Sequence, residues 1–146
     1  MELKKTFATK FDHEKLEVYR YELEFVEWVT PLLDEAAAAT KGRTREVCDQ
    51  LDRASLSALL NTAEGNGKRQ RQVRAKFFDD ARGSATECAA CLDALVAKKI
   101  FPVERIGGGK DLLLKIVSML SGLVNRFNGS GDALREDSPE YLVEEI

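Results

Sequence analysis

Leu16, Tyr19, Leu23, Val26 and Leu33 recur at intervals of three, four, three and seven residues, and Val18, Phe25, Val29, Leu32 and Ala36 form a second stripe on an adjoining face. This spacing predicts one long helix over about Asp12 to Ala39. Asp12 is its expected N-cap, Thr40-Lys41-Gly42 supplies a glycine for a left-handed stop, and Pro31 argues for a kink inside it. Thr44 is the expected N-cap of a second helix, in which Val47, Leu51, Ala54, Ala58, Leu59 and Thr62 keep helical spacing as far as Gly65. Phe77, Ala81, Ala85, Cys88, Leu92 and Leu95 predict a third helix from about Arg71 to Lys99, stopped by Phe101-Pro102. Gly107-Gly108-Gly109 is expected to end a connector. Leu112, Leu113, Ile116, Val117, Leu120, Leu123, Val124 and Phe127 then form a fourth helix. No strand is needed.

Four helices joined by short or moderate connectors predict an all-α fold, an antiparallel up-down-up-down four-helix bundle over residues 1–127. Residues 128–146, opening with Asn128-Gly129-Ser130-Gly131-Asp132, read as a linker and an acidic flexible C-terminal tail. Helix four is apolar beyond one stripe, because Leu114 and Val117 lie off the axis set by Ile116, Leu120 and Leu123. Such a face meets a second surface, through self-association or through deep burial in a monomer.

Length and charge narrow the functional classes. A chain of 146 residues is long enough to bury a core as one domain without metal or disulfide staples. Cys48, Cys88 and Cys91 make an odd count, and no signal-type apolar stretch follows Met1, so the expected compartment is the reducing cytoplasm. The most apolar run, Leu112 to Val124, contains Lys115 and is shorter than the roughly 20 residues that span a membrane. The net charge of −3 is unevenly divided: residues 132–146 hold six acids against Arg135, a local −5, which leaves residues 1–131 at +2. Between Lys68 and Arg82 six cations oppose only Asp79 and Asp80. That stretch carries +4.

The polar chemistry concentrates where helix two meets helix three. Asn61 and Glu64 are spaced to bond to loop amides and to a cation of the next helix, and Gly65 and Gly67 are expected to permit positive φ. Gly65-Asn66-Gly67-Lys68 lacks the spacing and the preceding strand of a phosphate loop. Ala81, Gly83, Ser84 and Ala85 are small enough for a neighbouring helix to come close. Lys68, Arg69, Arg71, Arg74 and Lys76 span the loop and the first turns of helix three, whose N-terminus adds partial positive charge. These five are the candidate nucleic-acid contacts; the competing reading is a solvated face neutralised by neighbouring acids. No aromatic residue is interleaved with them, which favours backbone contact over base stacking. Cys88-Ala89-Ala90-Cys91 has no second cysteine pair and only His13 as a further soft ligand, so no metal, cofactor or catalytic group is expected. Trp28, Tyr19 and Tyr21 read as bundle or interface aromatics.

Asp49-Gln50-Leu51-Asp52-Arg53-Ala54-Ser55-Leu56-Ser57, Asn61-Thr62-Ala63-Glu64-Gly65-Asn66-Gly67 and Phe77-Phe78-Asp79-Asp80-Ala81-Arg82-Gly83-Ser84-Ala85-Thr86-Glu87 together resemble the four-helix-bundle family of 23S rRNA intervening-sequence proteins. The accessory protein of diversity-generating retroelements looks like a relative. The similarity covers most of residues 11–127. It implies a bacterial-type antiparallel bundle assembling into a ring-like homopentamer without enzymatic activity. For the retroelement branch it also implies contact with a reverse transcriptase and with RNA or DNA through a positive surface. In this light Asn61, Glu64, Gly65, Gly83, Ser84 and Glu87 are expected to form a structural corner, with the five cations presenting charge beyond it. The alternative is a protein–protein assembly module whose basic patch docks an acidic segment.

Overall fold

A computed structural model describes residues 11–40 and 42–129. They form a 3-10 turn at Asp12–Lys15 and four helices, α1 (Glu17–Thr40), α2 (Arg45–Asn66), α3 (Arg71–Ala97) and α4 (Val103–Asn128). The described residues contain no strand. The expected acidic tail lies outside the described residues from Ser130 onward. α1 packs on α2 and α4, and α3 packs on the same two helices through the more extensive faces. The four helices therefore enclose one core, in which Val18, Phe25, Leu32, Leu51, Phe78, Leu92, Ile116 and Leu120 are buried together.

Helix ends differ from the sequence expectation in instructive ways. α1 begins at Glu17, because Leu16 is extended (φ −72°, ψ 130°) and separates the 3-10 turn from the helix. Asp12 therefore does not cap α1. Its carboxylate instead accepts a hydrogen bond from Asn66 Nδ2 at 2.7 Å, across the bundle end. Gly42 has the expected left-handed backbone, φ +95°. Thr44 stands at the N-cap of α2, but its side chain makes no capping hydrogen bond. α1 runs through Pro31 as one element, with the ring exposed. At the end of α3, Lys99 (φ +65°) takes the left-handed position, and Lys99 N donates to Val96 O while Ile100 N donates to Leu95 O. Those paired bonds close the helix without a glycine.

The largest correction concerns Gly107, Gly108 and Gly109, which lie inside α4 and not in a connector. Pro102 is the N-cap, and the helix runs through all three glycines. A Cβ on Gly109 would sit 2.3 Å from Trp28 Cζ3, so the missing side chain makes the slot for the indole of α1. Each glycine costs about 1 kcal/mol in helix propensity. The contact between Trp28 and the α4 backbone outweighs it at Gly109.

The wide apolar face of α4 is divided by the fold. Leu113, Ile116 and Leu120 are buried, Val117 packs partly against the core, and Leu114 is 58 % exposed. On α2, Leu56 and Leu60, one turn apart, are also exposed. No helix among the described residues is long and apolar enough to cross a membrane.

Candidate functional site

α2 ends, and α3 begins, around a polar junction centred on Asn66. Its Nδ2 donates to Asp12 Oδ2, and its Oδ1 accepts from Arg74 Nη2 at 3.1 Å. Arg74 Nη1 also donates to the carbonyl of Lys68 at 3.3 Å, and the guanidinium lies 4.5 Å from the centre of the Phe127 ring. One amide and one guanidinium thus join the 3-10 turn, α2, α3 and α4. Because Asn66 is only 7 % exposed, these bonds stabilise the junction chiefly by leaving no desolvated amide unpaired.

The expected corner residues are not gathered at that junction. Asn61 donates to Ser57 O (2.9 Å) and Ser57 Oγ (3.1 Å) within its own helix, and Ser84 Oγ donates to Ser57 Oγ at 3.0 Å. This cluster bridges α2 and α3 more than a turn before the corner, and Asn61 does not bond to loop amides as expected. Glu64 pairs with Lys68 at 3.6 Å, both partly exposed. Gly65 and Gly67 do not use positive φ; Gly42 is the glycine that does among the described residues. A Cβ on Gly65 would lie 2.7 Å from Phe77 Cβ, so the glycine permits the close start of α3 against α2. Ala81 and Ala85 are fully buried at the helix contact, whereas Gly83 faces open space and serves no close approach. Glu87 is exposed farther along α3, where Gln50, with its amide turned to satisfy both neighbours, donates to it at 3.1 Å and accepts from Arg53. The reason is helical geometry. Asn61 and Glu64 share a face of α2, but their different heights along the helix place them beside different partners.

The five cations divide between holding the corner and facing solvent. Arg74 is part of the junction. Arg71 donates to the carbonyl of Arg126, and its guanidinium lies 5.1 Å from the Phe127 ring centre; Arg126 lies 6.0 Å from the same ring. Lys68 sits over Phe77 at 5.1 Å, Lys76 pairs with Asp80 at 3.2 Å, and Arg69 is exposed. Phe127 therefore supplies an aromatic ring among these cations from a helix distant in sequence. Spacing around Lys68 to Lys76 holds no sign of it.

Beside this corner a cleft of about 400 Å³ runs between α3 and the end of α4, lined by Gln72, Ala75, Lys76, Asp79, Arg82, Val124 and Asn128. Arg82 spans it, donating to Asp79 Oδ1 (2.7 Å) and to Ser121 Oγ (3.2 Å).

Glu22 is a second polar feature, absent from the sequence expectations. It is 2 % exposed, accepts a hydrogen bond from Thr62 Oγ1 at 2.7 Å, and has no partner for Oε1 among the described residues. A cavity of about 10 Å³ adjoins it, lined in part by Ser55 and Cys88. Burial pushes its carboxyl up to about 8, against the smaller lowering by Thr62. A signal for it exists in the sequence: Val18 and Phe25 leave a seven-residue gap in their stripe, and Glu22 fills the core position between them.

The cysteines are free thiols. Burial pushes Cys88 up to about 12 and raises Cys91 as well, which disfavours the thiolate at both. His13 lies against Tyr19 (4.7 Å) and Phe11 (5.8 Å) in the 3-10 turn before α1. Trp28 stacks on Phe25 at 5.7 Å, and the Arg105 guanidinium lies 5.4 Å from the centre of its ring. Arg105 makes a two-bond pair with Glu35, at 3.0 and 2.9 Å, which holds the Glu35 carboxyl below its usual range. Among the described residues no group of three or more histidine, cysteine or acidic side chains is placed to hold a metal ion.

No curated protein and no solved structure matches the chain. A family model described as 23S rRNA-intervening sequence protein matches residues 14–122, from the 3-10 turn to the last turns of α4 and well over half of the 146 residues, and the chain belongs to that family.

Proposed function

We propose that this protein is a non-enzymatic helical scaffold that holds nucleic-acid backbone, or a nucleic-acid-handling protein such as a reverse transcriptase, against the α2–α3 corner. The bundle is antiparallel, works in the cytoplasm, and self-associates, with the ring-like homopentamer implied by its resemblance as the expected form. The observation that carries this reading is the convergence of Arg71, Arg74 and Arg126 from two helices on the Phe127 ring, beside Lys68 and Arg69. Positive charge is held there by a buried junction. Phosphate oxygens are the natural partner for such a fixed set of guanidinium groups and for the adjoining N-terminus of α3. Repetition of the patch around a ring would add the contacts of several copies on one strand.

Arg69 and Lys76 are exposed and lie outside the Asn66–Arg74 junction, so their reversal to glutamate leaves the fold in place. The Arg69→Glu, Lys76→Glu protein is expected to bind duplex and single-stranded RNA or DNA at least tenfold more weakly at low salt. Its salt dependence should fall by about 0.9 in slope for each duplex phosphate that the variant no longer neutralises. Binding unchanged in affinity and slope would remove the corner from this role.

A second reading, a protein–protein assembly module without a nucleic-acid role, is favoured by the exposed Leu56 and Leu60 on α2 and Leu114 on α4. Both readings require self-association. Light scattering is expected to give a mass of several chains, and a monomer mass at micromolar concentration would defeat both.

A further inference from the structure

The end of α4 lies at the basic corner itself. Arg71 holds the carbonyl of Arg126, Phe127 is covered by Arg71 and Arg74, and Asn128 lines the α3–α4 cleft. The chain after Gly129 therefore starts beside the cations. Its composition is complementary to that place. Residues 130–146 carry Asp132, Glu136, Asp137, Glu140, Glu144 and Glu145 against Arg135, a net −5, opposite a stretch from Lys68 to Arg82 that carries +4. The cleft has Ala75 and Val124 in its lining, with Lys76 and Arg82 beside them. The segment likewise places Tyr141, Leu142 and Val143 among its acids.

Reach and energetics both allow the contact. The 17 residues of the segment extend up to about 3.3 Å each, several times the roughly 10–12 Å width of one helix. Two of the cations, Lys68 and Lys76, have present partners that are weak competitors. The Lys68–Glu64 and Lys76–Asp80 pairs are surface pairs, of a kind worth about 0–1 kcal/mol. Asp79 in the cleft wall is already satisfied by Arg82, so it offers an arriving carboxylate little net repulsion. A covalently attached segment also acts at a high effective concentration, in the millimolar range for short connections, so weak contacts suffice to fill the site.

We infer that the acidic segment 130–146 occupies the α3–α4 cleft of its own chain, placing its carboxylates on the Lys68–Lys76 cations and competing there with nucleic-acid phosphate. The inference rests on the same corner as the nucleic-acid reading and adds an internal competitor that restricts binding to ligands of high charge density. It also accounts for a basic corner in an acidic chain. The charge balance lets the site be covered when no polyanion is present.

The test uses the full chain in three forms: unaltered; with the segment neutralised by Asp132→Asn, Glu136→Gln, Asp137→Asn, Glu140→Gln, Glu144→Gln and Glu145→Gln; and with that neutralised segment plus Arg69→Glu and Lys76→Glu. A fluorescent peptide of residues 130–146 is titrated into each at low salt. The neutralised chain is expected to bind the peptide, the unaltered chain at least tenfold more weakly because its site is filled, and the charge-reversed chain no better than the unaltered one. No peptide binding to the neutralised chain, or equal binding to all three, overturns the inference. An RNA duplex titrated in parallel separates the two claims. Peptide binding without RNA binding sinks the nucleic-acid reading alone, and equally tight RNA binding to the unaltered and neutralised chains sinks the competitor alone.

Discussion

Glu22→Gln is expected to stabilise the protein at pH 8 by on the order of 3–5 kcal/mol and to remove most of its loss of stability between pH 4.5 and 8. The Glu22 carboxyl ionises near 4.5 when exposed in the unfolded chain and only near 8 in the bundle. Below pH 4.5 it is protonated in both states and costs nothing. Between the two values the unfolded chain releases a proton that the folded chain retains, so stability falls by about 1.4 kcal/mol per pH unit. Above pH 8 both states are ionised, and the whole loss is in place. The cause is burial, for the described neighbours in its cavity are Phe25, Ser55, Ala58, Ala85, Cys88, Leu113 and Ile116, none of them a cation. Glutamine keeps an acceptor for Thr62 Oγ1 and carries no charge to desolvate. Urea denaturation of both proteins at pH 5, 6.5 and 8 checks this. Glu35, which contributes stability above its usual range and loses it as pH falls, is common to both and cancels in the difference. A difference between the two proteins that does not grow from pH 5 to pH 8 would show that Glu22 is already ionised in the fold.

The second large effect is expected at Gly109. An alanine there places its Cβ 2.3 Å from Cζ3, 2.5 Å from Cη2 and 2.8 Å from Cε3 of Trp28, and the indole also contacts Phe25 and Arg105. Overpacking of this kind costs about 1–3 kcal/mol, set against the roughly 1 kcal/mol that alanine returns in helix propensity. Gly109→Ala is therefore destabilising. Gly83→Ala, by contrast, meets no atom within 4 Å on the exposed side of α3 and is expected to stabilise by about 1 kcal/mol. Adding Trp28→Leu to Gly109→Ala should recover part of the loss, since leucine does not reach the slot with a ring. Thermal or urea unfolding of the single and double variants gives the coupling directly. Full additivity would mean that Gly109 is not the seat of Trp28.

These two sites mark the boundary of what spacing reveals. The four helices are legible because a 3.6-residue apolar period is a local property, and each run of Val18 to Ala36, Val47 to Thr62, Phe77 to Leu95 and Leu112 to Phe127 states its own helix. The glycine triplet misleads because glycine propensity favours a connector, while packing against Trp28 is a tertiary gain that propensity does not contain. Gly65 is a parallel case, where the sequence suggests turn chemistry and close approach to Phe77 is the reason for the residue. The apolar face of α4 is broader than one contact needs, as its pattern indicates, and Leu114 is the part left exposed.

Sequence alone determined the all-α class, four helices and the local concentration of positive charge after α2. Only the tertiary structure decided which polar groups meet. Asn66 finds Asp12 across 54 residues, Thr62 finds Glu22 across 40, and Arg71 finds the Arg126 carbonyl across 55. A helical period sets which residues share a face, but it leaves open the rotation of each helix and its height against its neighbours. Those two quantities are set by packing of the whole core. They made Asn66 the junction of the corner, placed Phe127 beneath the arginines and left Asn61 and Gly83 to other surroundings.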